Sequence, residues 1–129
     1  MKSKDNLKVI NPQVAVIGAG YWGINHVRNF HELGALRMVC DMSRPSLAKI
    51  AESYPSIHIE EDFSRALNDS DIQGVVIATP AETHYRLARA AIEAGKDVLV
   101  EKPLTLDVAE GERLVALARQ RNVILMVGH

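Results

Sequence analysis

The chain has 129 residues, enough for one domain of ordinary size, and 47% of them are apolar, enough for a core that needs no staples. Its 15 basic side chains nearly cancel 16 acidic ones and are scattered along the chain, so charge offers no handle for nucleic acid or an anionic membrane surface. The one cysteine, Cys40, has no disulfide partner within the chain and lies in an apolar run, which fits a buried structural thiol in a reducing compartment.

Residues 1–11 are polar and carry three lysines. They lack the apolar stretch of a signal peptide, so a flexible N-terminal tail is expected ahead of a domain at 12–129. No run approaches membrane-spanning length, and the expected location is cytoplasmic. Val14-Ala15-Val16-Ile17 is a continuous apolar run ending in glycine, the pattern of a strand buried on both faces. A helix is predicted from Tyr21 to Leu33, stopped at Gly34. Leu36 to Cys40 reads as the second strand, closed by Asp41. Pro45 introduces a helix carrying Leu47, Ile50 and Ala51, with Pro55 as its stop. Ile57 to Ile59 is a short third strand, followed by a brief helix around Phe63 to Leu67. Asn68-Asp69-Ser70 has the spacing of a glycosylation acceptor and reads here as a turn.

Val75 to Ala78 is a further buried strand. His84, Leu87, Ala88, Ala91 and Ile92 then fall on one face of a helix predicted from Thr83 to Ala94 and ended by Gly95. Val98 to Val100 is the next strand. A helix capped by Thr105 follows, with Asp107 in its first turn and Gly111, Leu114, Leu117 and Ala118 on one stripe. Asn122 breaks it, and Val123 to Val127 forms the last strand. Strand and helix alternate throughout, with no internal repeat. The fold class is therefore α/β: a doubly wound parallel sheet of about six strands in the order 3-2-1-4-5-6, with helices on both faces and right-handed crossovers.

Gly18, Gly20 and Gly23 have the G-x-G-x-x-G spacing between a predicted strand and a predicted helix. Gly18 allows the tight turn, Gly20 lets backbone approach a pyrophosphate, and Gly23 lets the helix pack closely on the strand. The helix N-terminus, with Tyr21 and Trp22 in its first turn, offers unpaired N–H groups and a positive dipole end to the phosphates. Asp41, eighteen residues after Gly23, ends the second strand, where a carboxylate accepts both ribose hydroxyls of the adenosine half. A carboxylate there favours NAD over NADP, because it repels a 2′-phosphate. Arg44 makes the choice less one-sided: it can pair with such a phosphate, stack on adenine, or simply be solvated. S-adenosylmethionine enzymes combine a glycine-rich first loop with an acid after the second strand, so these two features alone do not establish redox chemistry.

Ligands on open parallel sheets bind outside the carboxyl ends of the strands. Gly18, Asp41, Thr79-Pro80, Glu101-Lys102-Pro103 and Gly128-His129 all fall at such ends, along one edge. Thr79-Pro80 breaks the chain after a buried strand, either to face the cofactor or as a plain strand-to-helix turn. His84 opens the next helix, either packing inside or touching the cofactor edge. In Glu101-Lys102-Pro103, Lys102 is the candidate catalytic residue. It can donate a hydrogen bond to a sugar hydroxyl or carbonyl and stabilise oxyanion charge during hydride transfer. Pro103 would fix the backbone that aims it, with a cis bond as one way of doing so, and Glu101 would orient the lysine. By composition alone, an exposed salt bridge is the competing reading. The sequence points to no metal site.

Taken together, these residues resemble the N-terminal half of the Gfo/Idh/MocA oxidoreductases, over essentially all of residues 12–129. The resemblance rests on Val-Ile-Gly-Ala-Gly-Tyr-Trp-Gly (16–23), Ala-Thr-Pro (78–80) with His84, Glu-Ala-Gly-Lys-Asp-Val-Leu-Val-Glu-Lys-Pro (93–103) and the closing Val-Gly-His. It implies a Rossmann domain that binds NAD in an enzyme acting on sugars, inositols or sugar nucleotides. Lys102 would stand at the catalytic site, with Thr79, His84 and Glu101 near the cofactor. The phrases Tyr-Trp-Gly-Ile-Asn-His-Val-Arg-Asn-Phe and Met-Val-Gly-His resemble the branch of nucleotide-sugar 3-dehydrogenases.

Members of this family continue into a second α/β domain, which supplies most of the substrate pocket and the usual catalytic histidine or aspartate. That domain is absent from these 129 residues. Catalysis needs donor and acceptor held together with water excluded. The expectation is thus a fragment of a longer enzyme that binds a dinucleotide and turns over little alone. The alternative is a non-catalytic module that binds or senses NAD. The implied partners are the dinucleotide and, in the full-length enzyme, a sugar-type substrate, with neither nucleic acid nor membrane. Homo-oligomer formation stays open, because in similar proteins the second domain's sheet commonly makes the dimer.

Overall fold

The computed structural model of the chain describes residues 11–128; residues 1–10 of the expected tail, and His129, lie outside the described residues. In chain order the elements are β1 (Val14–Ile17), α1 (Tyr21–Glu32), β2 (Leu36–Cys40), α2 (Arg44–Ser53), β3 (His58–Glu60), α3 (Phe63–Asn68), β4 (Gly74–Ile77), α4 (His84–Glu93), β5 (Asp97–Val100), α5 (Val108–Arg121) and β6 (Leu125–Val127). A 3-10 turn, Ala81–Thr83, leads into α4. All strand pairs are parallel and the order is β3-β2-β1-β4-β5-β6, so the expected doubly wound sheet is the observed one, with its third strand in place.

The continuous apolar runs follow from burial on two sides. Ala15 and Ile17 of β1 share one face with Met38, Cys40, Val75, Ile77, Val98 and Val100. They pack there against Ala66 of α3, Leu87, Ala88, Ala91 and Ile92 of α4, and Leu114 and Ala118 of α5. Val16, Val39 and Val76 project from the opposite face onto Val27 of α1 and Leu47 and Ile50 of α2. A strand covered on both faces has no solvent side on which to place polar residues, so its sequence does not alternate.

Element ends differ from expectation where a side chain competes for the backbone. Helix α5 starts at Val108 because Asp107, not Thr105, is its N-cap: the carboxylate accepts from the Ala109 N–H at 2.9 Å. Thr105 instead donates its hydroxyl to the Asp107 carbonyl at 2.7 Å. At the other end Asn122 takes the left-handed conformation and the Val123 N–H returns to the Ala118 carbonyl at 3.0 Å. The Ile124 N–H is held by the Asp97 carboxylate at 2.9 Å. Val123 and Ile124 therefore belong to the helix cap and its exit, and β6 begins at Leu125.

The strand order reverses at β1. β1 pairs with β2 on one side and β4 on the other, and the helices that leave β1 and β4 cover opposite faces. The crossovers diverge there and leave a crevice at the carboxyl ends of these strands. Gly18 and Gly23 let α1 begin hard against the turn. Gly18 has φ +100°, and a Cβ on it would lie 2.8 Å from the Ala78 carbonyl oxygen. A Cβ on Gly23 would overlap the Gly18 carbonyl. Gly23→Ala is therefore expected to lower unfolding free energy by at least about 2 kcal/mol, because backbone rather than a mobile side chain must give way. A urea midpoint unchanged from the parent protein would show that the helix has room to move.

Candidate functional site

The crevice is a cleft of about 610 Å³, lined by Ile17, Gly18, Gly20, Cys40, Asp41, Met42, Glu61, Asp62, Phe63, Ala78, Thr79, Pro80, Thr83, Arg86 and Leu87. The structure thus brings together five sequence candidates: Gly18, Gly20, Asp41, Thr79 and Pro80. A second hollow of about 370 Å³ includes Arg37, His58, Glu60 and Asp69 in its lining. There Arg37 is paired with Asp69, and His58 with Glu60, so those groups are not free to converge on a ligand.

Helix α1 is capped by Gly20, with no side chain bonded to its first turn and no acidic residue there. Its N-terminal N–H groups and positive dipole end are left for a ligand. A Cβ on Gly20 would meet nothing within 4 Å, so open space stands over this residue at the cleft wall. Beside it, the Asp41 carboxylate is fixed by two main-chain donors: Oδ2 accepts from the Ala19 N–H at 2.6 Å and Oδ1 from the Ser43 N–H at 2.7 Å. A carboxylate has about four acceptor sites, so roughly half remain after these two bonds. Free phosphate donors, bare glycine backbone and a pre-aimed carboxylate with spare lone pairs fit the phosphates and adenosine ribose of a dinucleotide.

On the opposite wall the hydroxyl protons can be counted. Thr83 Oγ1 donates to the Pro80 carbonyl at 2.6 Å. Thr79 Oγ1 lies 2.6 Å from Thr83 Oγ1, and since the Thr83 proton is committed, Thr79 is the donor in that contact. What the Thr79 hydroxyl offers the cleft is its lone pairs, suited to a hydroxyl or amide donor rather than a phosphate oxygen.

Tyr21 and Trp22 sit in the first turn of α1, 81% and 58% exposed and edge-to-face with centroids 5.2 Å apart, outside the cleft lining. Gly23 is also outside it and serves the packing of α1 on the turn. Arg44, the first residue of α2, donates its Nε to Glu61 Oε2 at 2.7 Å. His84 is buried beneath the cleft, with Nδ1 2.7 Å from the Pro103 carbonyl and Nε2 2.9 Å from the Thr79 carbonyl. Both ring nitrogens face main chain, so its place is that of the packing alternative. Carbonyls only accept, and both contacts become hydrogen bonds together only in the doubly protonated ring.

Lys102 is exposed at the end of β5, and the Lys102–Pro103 peptide bond is cis. The expectation that Glu101 orients Lys102 is replaced by a different contact: Glu101 Oε2 pairs with His26 Nε2 of α1, both side chains largely covered. The carboxylate also lies over Gly128, where a Cβ would stand 3.1 Å from Oε2. The loop that carries Lys102 is thus tied on one side to α1 through His26 and on the other to α4 through His84.

Sequence reasoning missed His26, although its place three residues after Gly23, one helical turn on, was a usable signal. It also missed Thr83 and Arg86, which share a face at the start of α4, and the Glu61-Asp62-Phe63 turn, whose approach to Asp41 depends on the β2–β3 pairing. Cys40, on the cleft floor, is 1% exposed. Burial, reinforced by the charges of Glu60, Asp62 and Asp41, pushes its thiol up to about 12, so it is no nucleophile at neutral pH. Among the described residues no helix is long and apolar enough to cross a membrane, and no three His, Cys, Asp or Glu side chains are grouped to hold a metal ion.

Known proteins resemble this chain in sequence and fold. Residues 13–129 match the model of an oxidoreductase family with an NAD-binding Rossmann fold. UDP-N-acetylglucosamine 3-dehydrogenase of Acidithiobacillus ferrooxidans is 32% identical over 126 residues, which are 94% of this chain and 38% of that enzyme. GenD2 from gentamicin A biosynthesis, solved in complex with NAD, superposes with a TM-score of 0.86 at 34% identity over 92% of this chain and 34% of its own. Biliverdin reductase from Synechocystis, solved with biliverdin and NADP+, gives 0.85 at 32% identity over 91% of this chain and 37% of its own. The chain therefore spans little more than a third of the length of each of these three proteins.

The contacts of His84 give this site its first test. His84→Leu keeps the bulk but leaves the Thr79 and Pro103 carbonyls without their partner, an expected loss of about 2–3 kcal/mol in urea unfolding. A variant as stable as the parent would show that the two loops do not depend on this ring.

Proposed function

Because the chain belongs to the Gfo/Idh/MocA oxidoreductases, we propose that it is the NAD-holding half of a dehydrogenase acting on a sugar, inositol or nucleotide sugar. The observation that carries this reading is the Asp41 carboxylate, fixed by the Ala19 and Ser43 N–H groups beside the open backbone of Gly20. When bound, the nicotinamide supplies the hydride acceptor or donor. The chain's own residues do the rest of this half's work. The first turn of α1 and Gly20 receive the pyrophosphate, Asp41 takes the adenosine ribose hydroxyls, and Thr79 offers acceptor lone pairs from the end of β4. Lys102, at the end of β5, is the group we assign to polarise the reacting oxygen. Its exposure is what a residue shared with a substrate domain requires. Glu101, His26 and His84 hold its loop without touching the reaction.

Within the family, a nucleotide-sugar 3-dehydrogenase is the reading we favour, supported by the identity that runs along 94% of this chain. NAD is favoured over NADP because the ribose-binding group is an anion. A cytoplasmic location accords with an unpaired, buried Cys40.

Calorimetric titration of the chain with NAD tests the reading. NAD is expected to bind in the micromolar to millimolar range, and Asp41→Ala to weaken it by about tenfold or more, the loss of charge-assisted hydrogen bonds to the ribose. Absence of binding at millimolar NAD, or an Asp41→Ala variant that binds as the parent does, would contradict it.

A further inference from the structure

This inference rests on the NAD reading above and concerns how the cleft treats a dinucleotide that carries a 2′-phosphate. Asp41 is held by two main-chain N–H groups, so it cannot swing aside to admit such a phosphate. A guanidinium nearby would compensate, since arginine is the natural fork-shaped partner of phosphate. Arg44, three residues further along, is the residue placed to supply one. In the structure its Nε instead donates to Glu61 Oε2 at 2.7 Å. Glu61 comes from the turn after β3 and itself lines the cleft, together with Asp41 and Asp62. The Ser64 hydroxyl and N–H hold the Asp62 carboxyl below its usual range, so it stays ionised at neutral pH.

We infer that Glu61 is a specificity-determining residue. It engages the Arg44 guanidinium that would otherwise be free to receive that phosphate. Selection against NADP then comes from Asp41 together with the Glu61–Arg44 pair, rather than from Asp41 alone. Glu61 acts through Arg44 and touches no reacting atom. The Arg44 and Glu61 side chains are 83% and 48% exposed, so the pair contributes little to stability and weakens with salt. Its effect lies in where the guanidinium is held. For the same reason, removing either side chain should leave the fold intact.

The test is a double-mutant cycle read as the ratio of NADP to NAD affinity, measured by calorimetric competition at low salt. It uses the parent chain, Glu61→Ala, Arg44→Ala and the double variant, with thermal melts as the folding control. Glu61→Ala is expected to raise the ratio roughly threefold to fivefold, the range accessible to one exposed charge pair. Arg44→Ala alone should leave it within about twofold, because the guanidinium is already engaged, and the double variant should lose most of the gain. All melts should coincide. A ratio unmoved by Glu61→Ala overturns the inference. So does an Arg44→Ala variant that lowers the ratio as much with Glu61 present as with it removed. If the parent binds NAD while either of these holds, only this inference falls; if the parent binds neither dinucleotide, the NAD reading falls with it.

Discussion

Everything at this site depends on how closely α1 approaches the turn that follows β1. A side chain on Gly23 would overlap the Gly18 carbonyl, and one on Gly18 would press on the backbone after β4. Three main-chain segments therefore meet with nothing between them, and the helix N-terminus is fixed over the point where the crossovers diverge. The Ala19 N–H in that same turn reaches the Asp41 carboxylate, which locks the end of β2 to the end of β1. The α1 N-terminus and the Asp41 carboxylate, to which we assign the phosphates and the ribose, thus have one fixed spacing before any ligand arrives. Preorganisation of this kind removes an ordering cost that a flexible loop would carry on binding.

The same economy of contacts positions Lys102. Its neighbours on either side are held by imidazoles from different elements, Glu101 by His26 of α1 and the Pro103 carbonyl by His84 of α4. His84 also contacts the Thr79 carbonyl, so one ring lies between the ends of β4 and β5. The lysine itself is left exposed. A well-held base under an exposed lysine accords with the role proposed for Lys102.

Much of this was legible in the sequence, for identifiable reasons. Strands buried on both faces leave unbroken apolar runs, and the spacing from Gly18 to Gly23 to Asp41 is local enough to read in one dimension. The stripe from His84 to Ile92 gave α4 because a 3.6-residue period is a property of the helix alone. What failed depended on contacts between distant segments. Glu101 and His26 are 75 positions apart, and nothing in either short stretch shows that they meet. Glu61 reaches the Asp41 end of the cleft only because β3 pairs with β2. Thr105 lost the helix cap to Asp107 because two good capping residues stood close together, and sequence alone does not rank them.

Amide chemical shifts recorded while NAD is titrated into the isotopically labelled chain test the central claim most directly. The account predicts saturable shifts at Gly18 through Gly23, at Asp41 and Ser43, at Thr79, and at Ala81 through Thr83. The Ala19 amide should respond although it faces Asp41 rather than open space. Shifts confined to the Arg37–His58–Asp69 hollow, or no saturable shift at millimolar NAD, would contradict it.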